Sequence, residues 1–299
     1  MDPEYIKRPR IGQNIRMWII YNYMKYHISY PDLSKMINDT FNIDITRSFI
    51  SRIKSSFAIK FQHYYDSILN EIIRGNLLHI DETSVQVKRY KGYVWVITSM
   101  THVFYLFRPN RECSFLVDLL RDFKGVLISD FYSGYDALEC RQQKCLIHLM
   151  RDLNDLVFKN QNNGEIRFIA ESFGDLLKKI VLTIDKYGLK KRNLKKHKTS
   201  VSQFQSEIFN YDFKTSLAIK LVKRLKKNKN KLFTFLDYDG IPWNNNNAEF
   251  AVKSFALYRR KVDGSYNESG LKDYLTMLSV LKTCDYQNIN FLDFLRRNV

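Results

Sequence analysis

Helical periodicity governs the chain up to Leu77, where an alternation of period two takes over. Leu77-Leu78-His79-Ile80-Asp81 is a short, largely apolar run. Val85 and Val87 alternate after it, Lys91-Gly92 supplies a hairpin turn, and Val94 and Val96, then Val103, Tyr105 and Phe107, carry the alternation on. Three antiparallel strands follow from that pattern. Residues 112–122 read as helical, Gly125-Val126-Leu127-Ile128-Ser129 as a buried strand bounded by glycine, and 146–158 as helix again. A meander followed by strand and helix in alternation restricts the chain to an α/β fold around a mixed five-stranded sheet.

Three acidic segments fall at the edges of these elements: His79-Ile80-Asp81-Glu82-Thr83, Ser129-Asp130-Phe131-Tyr132 and Asn245-Asn246-Asn247-Ala248-Glu249. Carboxylates gathered in one place repel one another, and a pair of divalent cations is the simplest counter-charge. Asp81 ends an apolar run, where an unpaired carboxylate costs several kcal/mol. Strand alternation lets either Asp81 or Glu82 face such a site, and Asp81 is favoured. Asp130 closes a strand, a place suited to function and to turn formation alike. Glu249 lies in the first turn of a helix, where the dipole also favours it. The asparagine run before it exceeds what one cap requires, and the amides of Asn245 and Asn246 suit phosphate oxygens or ligand positioning. Pro242-Trp243 is a packing anchor or a surface on which a base stacks. Cys145 and His148 have the spacing of half a zinc site with no second pair, so a structural zinc is not expected and the two are read as active-site support. His79, between Leu78 and Ile80, is read as a structural histidine.

The charge points to a polyanion. Of the net +17, residues 186–231 hold +13, with 15 Lys and Arg against Glu207 and Asp212. Residues 14–57 read as three short helices. Ile15, Trp18, Ile19 and Tyr23 stripe the first; Pro31 opens the second, which carries Leu33, Met36 and Ile37; Asn42 marks a turn; and Thr46 or Ser48 caps the third. The third turns Phe49, Ile50, Ile53 and Phe57 inward and Arg47, Ser48, Ser51, Arg52 and Lys54 outward, as a helix entering a DNA major groove does. Residues 159–243 are rich in Lys and Asn, with Leu217, Leu221, Val222 and Leu225 as a core stripe, and read as a helical insertion. Leu271, Leu275, Leu278 and Leu281, then Phe291, Leu292 and Leu295, mark two C-terminal helices that cover the sheet. The expected divisions are 1–60, a linker helix 61–76, a core of 77–158 and 244–262, the insertion 159–243, and 263–299. Four cysteines form no disulfide framework, and no apolar run approaches the roughly 18 residues needed to cross a bilayer. With no leader pattern, a cytoplasmic, nucleoid-associated protein is expected.

The order of strands and helices is that of a ribonuclease H-like core. The chain resembles the DDE transposases of bacterial and archaeal insertion elements, the insertion sequence 66 family in particular. The resemblance covers residues 77–299 and rests on Asp-Glu-Thr at 81–83, Gly92-Tyr93-Val94-Trp95, Ser129-Asp130-Phe131-Tyr132-Ser133-Gly134-Tyr135, Cys145-x-x-His148-x-x-Arg151, Asn245-Asn246-x-Ala248-Glu249 and Arg259-Arg260-Lys261. It departs from the family pattern at Asn244 and Phe250, where an Asp and an Arg are usual, and it lacks the coiled coil and cysteine-rich region of longer members. The resemblance implies Asp81, Asp130 and Glu249 as the ligands of two Mg²⁺ or Mn²⁺ ions. It also implies Arg151, Lys253, Arg259, Arg260 and Lys261 as phosphate contacts, and a homodimer acting on paired transposon ends and target DNA. End recognition would then fall to residues 14–57. A catalytically silent DNA-binding regulator and a ribonuclease H-like nuclease or resolvase share these features.

Overall fold

The computed structural model describes residues 11–88, 90–261 and 267–299, with the backbone alone at Lys261. The elements run α1 (Gln13–Tyr26), α2 (Tyr30–Phe41), α3 (Arg47–Lys60), α4 (Gln62–Arg74), β1 (Leu77–Val87), β2 (Tyr90–Thr98), β3 (Val103–Arg108), α5 (Ser114–Leu119), β4 (Val126–Ser129) and β5 (Arg141–Lys144). They continue with α6 (Leu146–Lys159), α7 (Gly164–Tyr187), α8 (Lys191–Leu194), α9 (Lys198–Asn210), α10 (Ser216–Lys227), α11 (Asn246–Lys261), α12 (Glu268–Tyr286) and α13 (Phe291–Asn298). The strands form one mixed sheet in the order β3-β2-β1-β4-β5, with β2 and β3 antiparallel and β1, β4 and β5 parallel. Among the described residues no helix is long and apolar enough to cross a membrane.

The chain divides into two compact units. One comprises the chain up to Glu71, Glu82–Arg111 and Phe250–Val299. In it, α2 is opened by Ser29, whose hydroxyl accepts the Asp32 N–H, with Pro31 in the first turn where a missing N–H costs nothing. Asn42 ends it in the left-handed conformation at φ 53°. Thr46 Oγ1 accepts the Phe49 N–H and caps α3, which buries Ile50, Ile53 and Phe57 as expected. Lys54 corrects the expectation of an outward face. It is 3% exposed and donates from Nζ to the carbonyl of Gly270 at 2.6 Å, because α12 packs on that side of α3. Burial lowers its pKa, opposed by Asp273. Ile15 and Trp18 of α1 are half-buried, while Met17, Ile20 and Met24 take interior places.

α12 is buried over most of its length from Leu271 to Cys284 and covers β3, the edge strand. Ser279 and Thr283 accept the N–H groups of Tyr105 and Val103, at 2.9 and 3.1 Å. Four helical residues rise about 6 Å, nearly the span of two strand residues, so hydroxyls at i and i+4 match alternate edge amides. A sheet edge that would otherwise offer itself to another strand is thereby closed. The hairpin turn lies earlier than Lys91-Gly92: Lys88 takes φ 47°, and Lys91 and Gly92 belong to β2. Gly92 serves a different purpose there, since the ring of Phe107 lies across it and a methyl group would sit 2.4 Å from a ring carbon.

The other unit comprises Ile72–Asp81 and Glu112–Glu249. Residues 159–243 share one apolar cluster with the sheet: Leu77, Val126 and Ile128 of the strands and Leu146, Leu149 and Leu153 of α6 meet Ile169, Phe173 and Ile180 of α7, Phe204 and Ile208 of α9, and Leu221, Val222 and Leu225 of α10. The inward stripe of α10 includes Ala218 rather than Leu217, which is 36% exposed, because the spacing 218, 221, 222, 225 is the one that keeps a single face. β5 is a strand made of Arg-Gln-Gln-Lys. Gln142 donates to the carbonyls of Tyr135 and Leu138, and Gln143 donates to that of Leu232 and accepts the Phe235 N–H. Arg141 is exposed, whereas the buried amide groups of Gln142 and Gln143 donate to loop carbonyls.

Two glycine substitutions should act in opposite directions. Gly92→Ala forces the Phe107 ring aside and should cost about 1–3 kcal/mol. Gly174→Ala, within α7 where a methyl meets nothing within 4 Å, should add about 0.5–1 kcal/mol. Urea denaturation of the two variants checks both signs.

Candidate active site

β1 and β4 are parallel, with Leu77 opposite Val126, Leu78 opposite Leu127 and His79 opposite Ile128. Two residues beyond the last of these pairs stand Asp81 on one strand and Asp130 on the other, so the two acids lie abreast at the carboxyl edge. That edge is where open α/β sheets place ligands. Both are half-buried. Asp130 Oδ1 accepts the N–H of Tyr132 at 2.9 Å, which starts the turn after β4. Glu82 points elsewhere, as strand alternation requires. Its buried carboxylate pairs with Arg111, whose Nε donates at 2.7 Å.

Glu249 comes to this edge through Asn245. Asn245 is 0% exposed: its amide donates to the carbonyl of Ile80 at 2.9 Å, and its Oδ1 lies 3.1 Å from His79 Nδ1. Its backbone N–H meets Cys145 Sγ at 3.2 Å, and its carbonyl accepts the Glu249 N–H at 3.1 Å. One residue thus ties the start of α11 to β1 and to the loop after β5. Because the amide end of Asn245 is committed to Ile80, its oxygen faces His79, and Nδ1 is the protonated nitrogen. Burial pushes the His79 pKa down to about 4 against the Asn245 hydrogen bond, so the ring stays neutral at physiological pH, as expected of a structural histidine.

The loop after β5 completes the edge. Cys145 N–H donates to the carbonyl of Ser129 at 2.8 Å, and Leu146 N–H to that of Trp243 at 2.9 Å, so Trp243 anchors α6. Cys145 is the residue before α6, with His148 one turn on. Burial raises the Cys145 thiol pKa, opposed by the N–H groups of His148, Asn245 and Ile147. Glu249 Oε1 lies 3.8 Å from His148 Nδ1, and Oε2 lies 3.8 Å from the exposed Arg151 guanidinium. Among the described residues, Cys145, His148 and Glu249 form the one group of three potential ligands whose donor atoms all fall within 4.8 Å of one another. Asp81, Asp130 and Glu249 share the same edge but do not close to that distance.

The expected DNA contacts divide. Arg47, Ser48, Arg52, Asn246, Arg151, Lys253 and Arg260 are exposed, and Ser51 is half-buried. Asn245, expected as a phosphate contact, is fully buried with its amide donating to Ile80, and Lys54 is interior. Arg259 is half-buried, and its guanidinium donates to Thr83 Oγ1 and to the carbonyl of Ser84, which draws it into the structure. The side chain of Lys261 lies outside the described residues. Sequence reasoning missed Lys144, which is 1% exposed, donates to Ser129 Oγ at 3.1 Å and lies over the Tyr135 ring. Burial lowers its pKa to about 8, with Asp136 the main opposing charge. No signal in Arg-Gln-Gln-Lys announces a buried strand.

Asn245→Ala strands the His79 N–H and the Ile80 carbonyl inside the protein. The loss should be about 2–4 kcal/mol at one to two unsatisfied groups, read by chemical denaturation, and Asn246→Ala at the exposed neighbour should change stability by under about 0.5 kcal/mol.

Residues 8–273 match the family described as Transposase IS66 family. The chain is also 21% identical to an uncharacterized protein, y4qI, of Sinorhizobium fredii (strain NBRC 101917 / NGR234), over 86% of this chain and 53% of that protein. It therefore spans about half the length of that relative. With strand-edge acids, an asparagine-led helix carrying Glu249, and a family match across most of its length, the chain belongs to the IS66 family of transposases.

Proposed function

We propose that this protein is a metal-dependent DDE transposase that cleaves DNA at the ends of its element and joins the freed 3′-ends to target DNA. The observation that carries the reading is the placement of Asp81 and Asp130 abreast on adjacent parallel strands, with Glu249 pinned beside Ile80 by Asn245. In this reading the sheet and its helices are a ribonuclease H-like core, and Asp81, Asp130 and Glu249 hold two Mg²⁺ or Mn²⁺ ions. The donors fit hard cations: all are carboxylates, and Glu249 Oε1 is buried with no hydrogen-bond partner. When bound, such ions supply Lewis-acid activation of the attacking oxygen and charge for the leaving one.

The remaining roles fall to this chain's own side chains. Arg151, exposed and within 4 Å of Glu249, holds a phosphate and keeps the carboxylate oriented. Asn246, Lys253 and Arg260 offer further donors along α11. α1–α3 act as a helix-turn-helix module, with Arg47, Ser48 and Arg52 exposed on α3 for base and backbone contacts. Arg52 is held over the Phe49 ring at 5.8 Å, which limits its rotamers. Lys190, Lys191, Arg192, Lys195 and Lys196 are exposed and make no ion pair among the described residues, so they serve duplex backbone without reading sequence. A homodimer on paired ends, working in the cytoplasm at the nucleoid, completes the proposal.

Asp81→Asn, Asp130→Asn and Glu249→Gln should each abolish nicking and strand transfer while leaving DNA affinity within about threefold, since each removes a ligand charge and keeps the shape. The assay is incubation with the element's own ends, a target plasmid and Mg²⁺, followed by mapping of joined products. Nicking without joining would mark a nuclease. DNA binding with no chemistry in the unsubstituted protein would mark a silent regulator, and substantial activity in any variant would remove that residue from the triad.

A further inference from the structure

The cluster at the mouth of α6 has a donor chemistry that the carboxylate pair on the strands lacks. Cys145 precedes the helix and His148 follows three residues later, a spacing that turns Sγ and the imidazole toward the same side. The Asn245 clamp brings Glu249 to meet them from α11. All three donor atoms lie within 4.8 Å of one another, with His148 Nδ1 and Glu249 Oε1 at 3.8 Å. In a tetrahedral zinc site, bond lengths of about 2.0 Å to nitrogen or oxygen and 2.3 Å to sulfur place donors about 3.3–3.7 Å apart. Small side-chain rotations reach that geometry.

Two of the three atoms have nothing else to bind. His148 Nδ1 and Glu249 Oε1 are buried and have no hydrogen-bond partner, and 3.8 Å is too long for them to satisfy each other. A cation between them meets both needs at once. Cys145 Sγ already accepts the N–H of Asn245, the kind of outer contact that orients a ligating thiolate. We infer that Cys145, His148 and Glu249 bind one soft divalent transition-metal ion, Zn²⁺ by preference, in a three-residue site whose fourth position is open to water. Thiolate with imidazole selects zinc or cobalt over magnesium, so this ion differs in kind from those proposed at Asp81 and Asp130, with Glu249 common to both sets. The expectation that Cys145-x-x-His148 lacks a second half is met by a single carboxylate from a distant segment, which no local spacing can reveal. The inference does not depend on the transposase reading, because its readout is metal binding.

The test is a Co²⁺ titration of the full chain after chelator treatment. One equivalent should bring up a thiolate-to-cobalt charge-transfer band in the near ultraviolet with the visible bands of four-coordinate cobalt, and Zn²⁺ should bleach both while equimolar Mg²⁺ does not. Cys145→Ser should remove the charge-transfer band. His148→Ala and Glu249→Gln should weaken cobalt binding at least about tenfold. Since Cys145 is buried and its replacement can disturb folding, the half-exposed His148 decides the matter separately, with circular dichroism confirming that the variant is folded. No charge-transfer band, a band that persists in Cys145→Ser, or unchanged affinity in folded His148→Ala would overturn the inference.

Discussion

The buried side chain of Asn245 is the interaction on which the site depends. A carboxylate on a helix more than a hundred residues beyond the strand acids has no covalent reason to meet them. It comes to the same edge because one amide donates to Ile80 and accepts from His79, while its backbone spans Cys145 and Glu249. Such an arrangement is costly to alter in parts. Removing one partner leaves the groups it satisfied unpaired in the interior. His79 belongs to the same device: its burial keeps the ring neutral, with Nδ1 donating to Asn245 Oδ1.

A second theme is that cations have been taken into the interior beside the acids. Lys144 lies on β5 next to Ser129, and its lowered pKa means that the charged form costs on the order of a few kcal/mol at neutral pH. Asp136, paired with Lys227 at 2.8 Å and Lys231 at 2.9 Å, offsets part of that cost, and those two ion pairs hold the lysine-rich segment to the turn after Asp130. The positive charge of residues 186–231 is therefore of two kinds. Lys227 and Lys231 are structural, whereas Lys190, Lys191, Arg192, Lys195 and Lys196 are exposed and form no ion pair among the described residues.

Much of the core was legible because its residues obey one period each. β3, β4 and the first four residues of β1 are largely apolar, and α2 and α3 carry side-chain caps, with a proline where α2 begins. What escaped has a common cause: the residue's environment is built by distant chain. β5 reads as surface because its glutamine amides donate to distant loop carbonyls and its lysine to Ser129 on β4. Lys54 reads as exposed because α12, which covers it, begins more than two hundred residues later. Asn245 reads as a surface amide because nothing near it in sequence announces His79 and Ile80. Gly92 reads as a turn, although its true constraint is the aromatic ring of Phe107 on the next strand.

The central claim is that the Asn245 clamp sets Glu249 at the edge where Asp81 and Asp130 stand abreast, so that one constellation of carboxylates can share metal ions. Anomalous diffraction from crystals of the full chain soaked in Mn²⁺ tests it directly. The account expects manganese peaks at the carboxyl edge of β1 and β4, ligated by Asp81 and Asp130 with Glu249 contributing. Peaks absent from that edge, or present without any contact to Glu249, would contradict it.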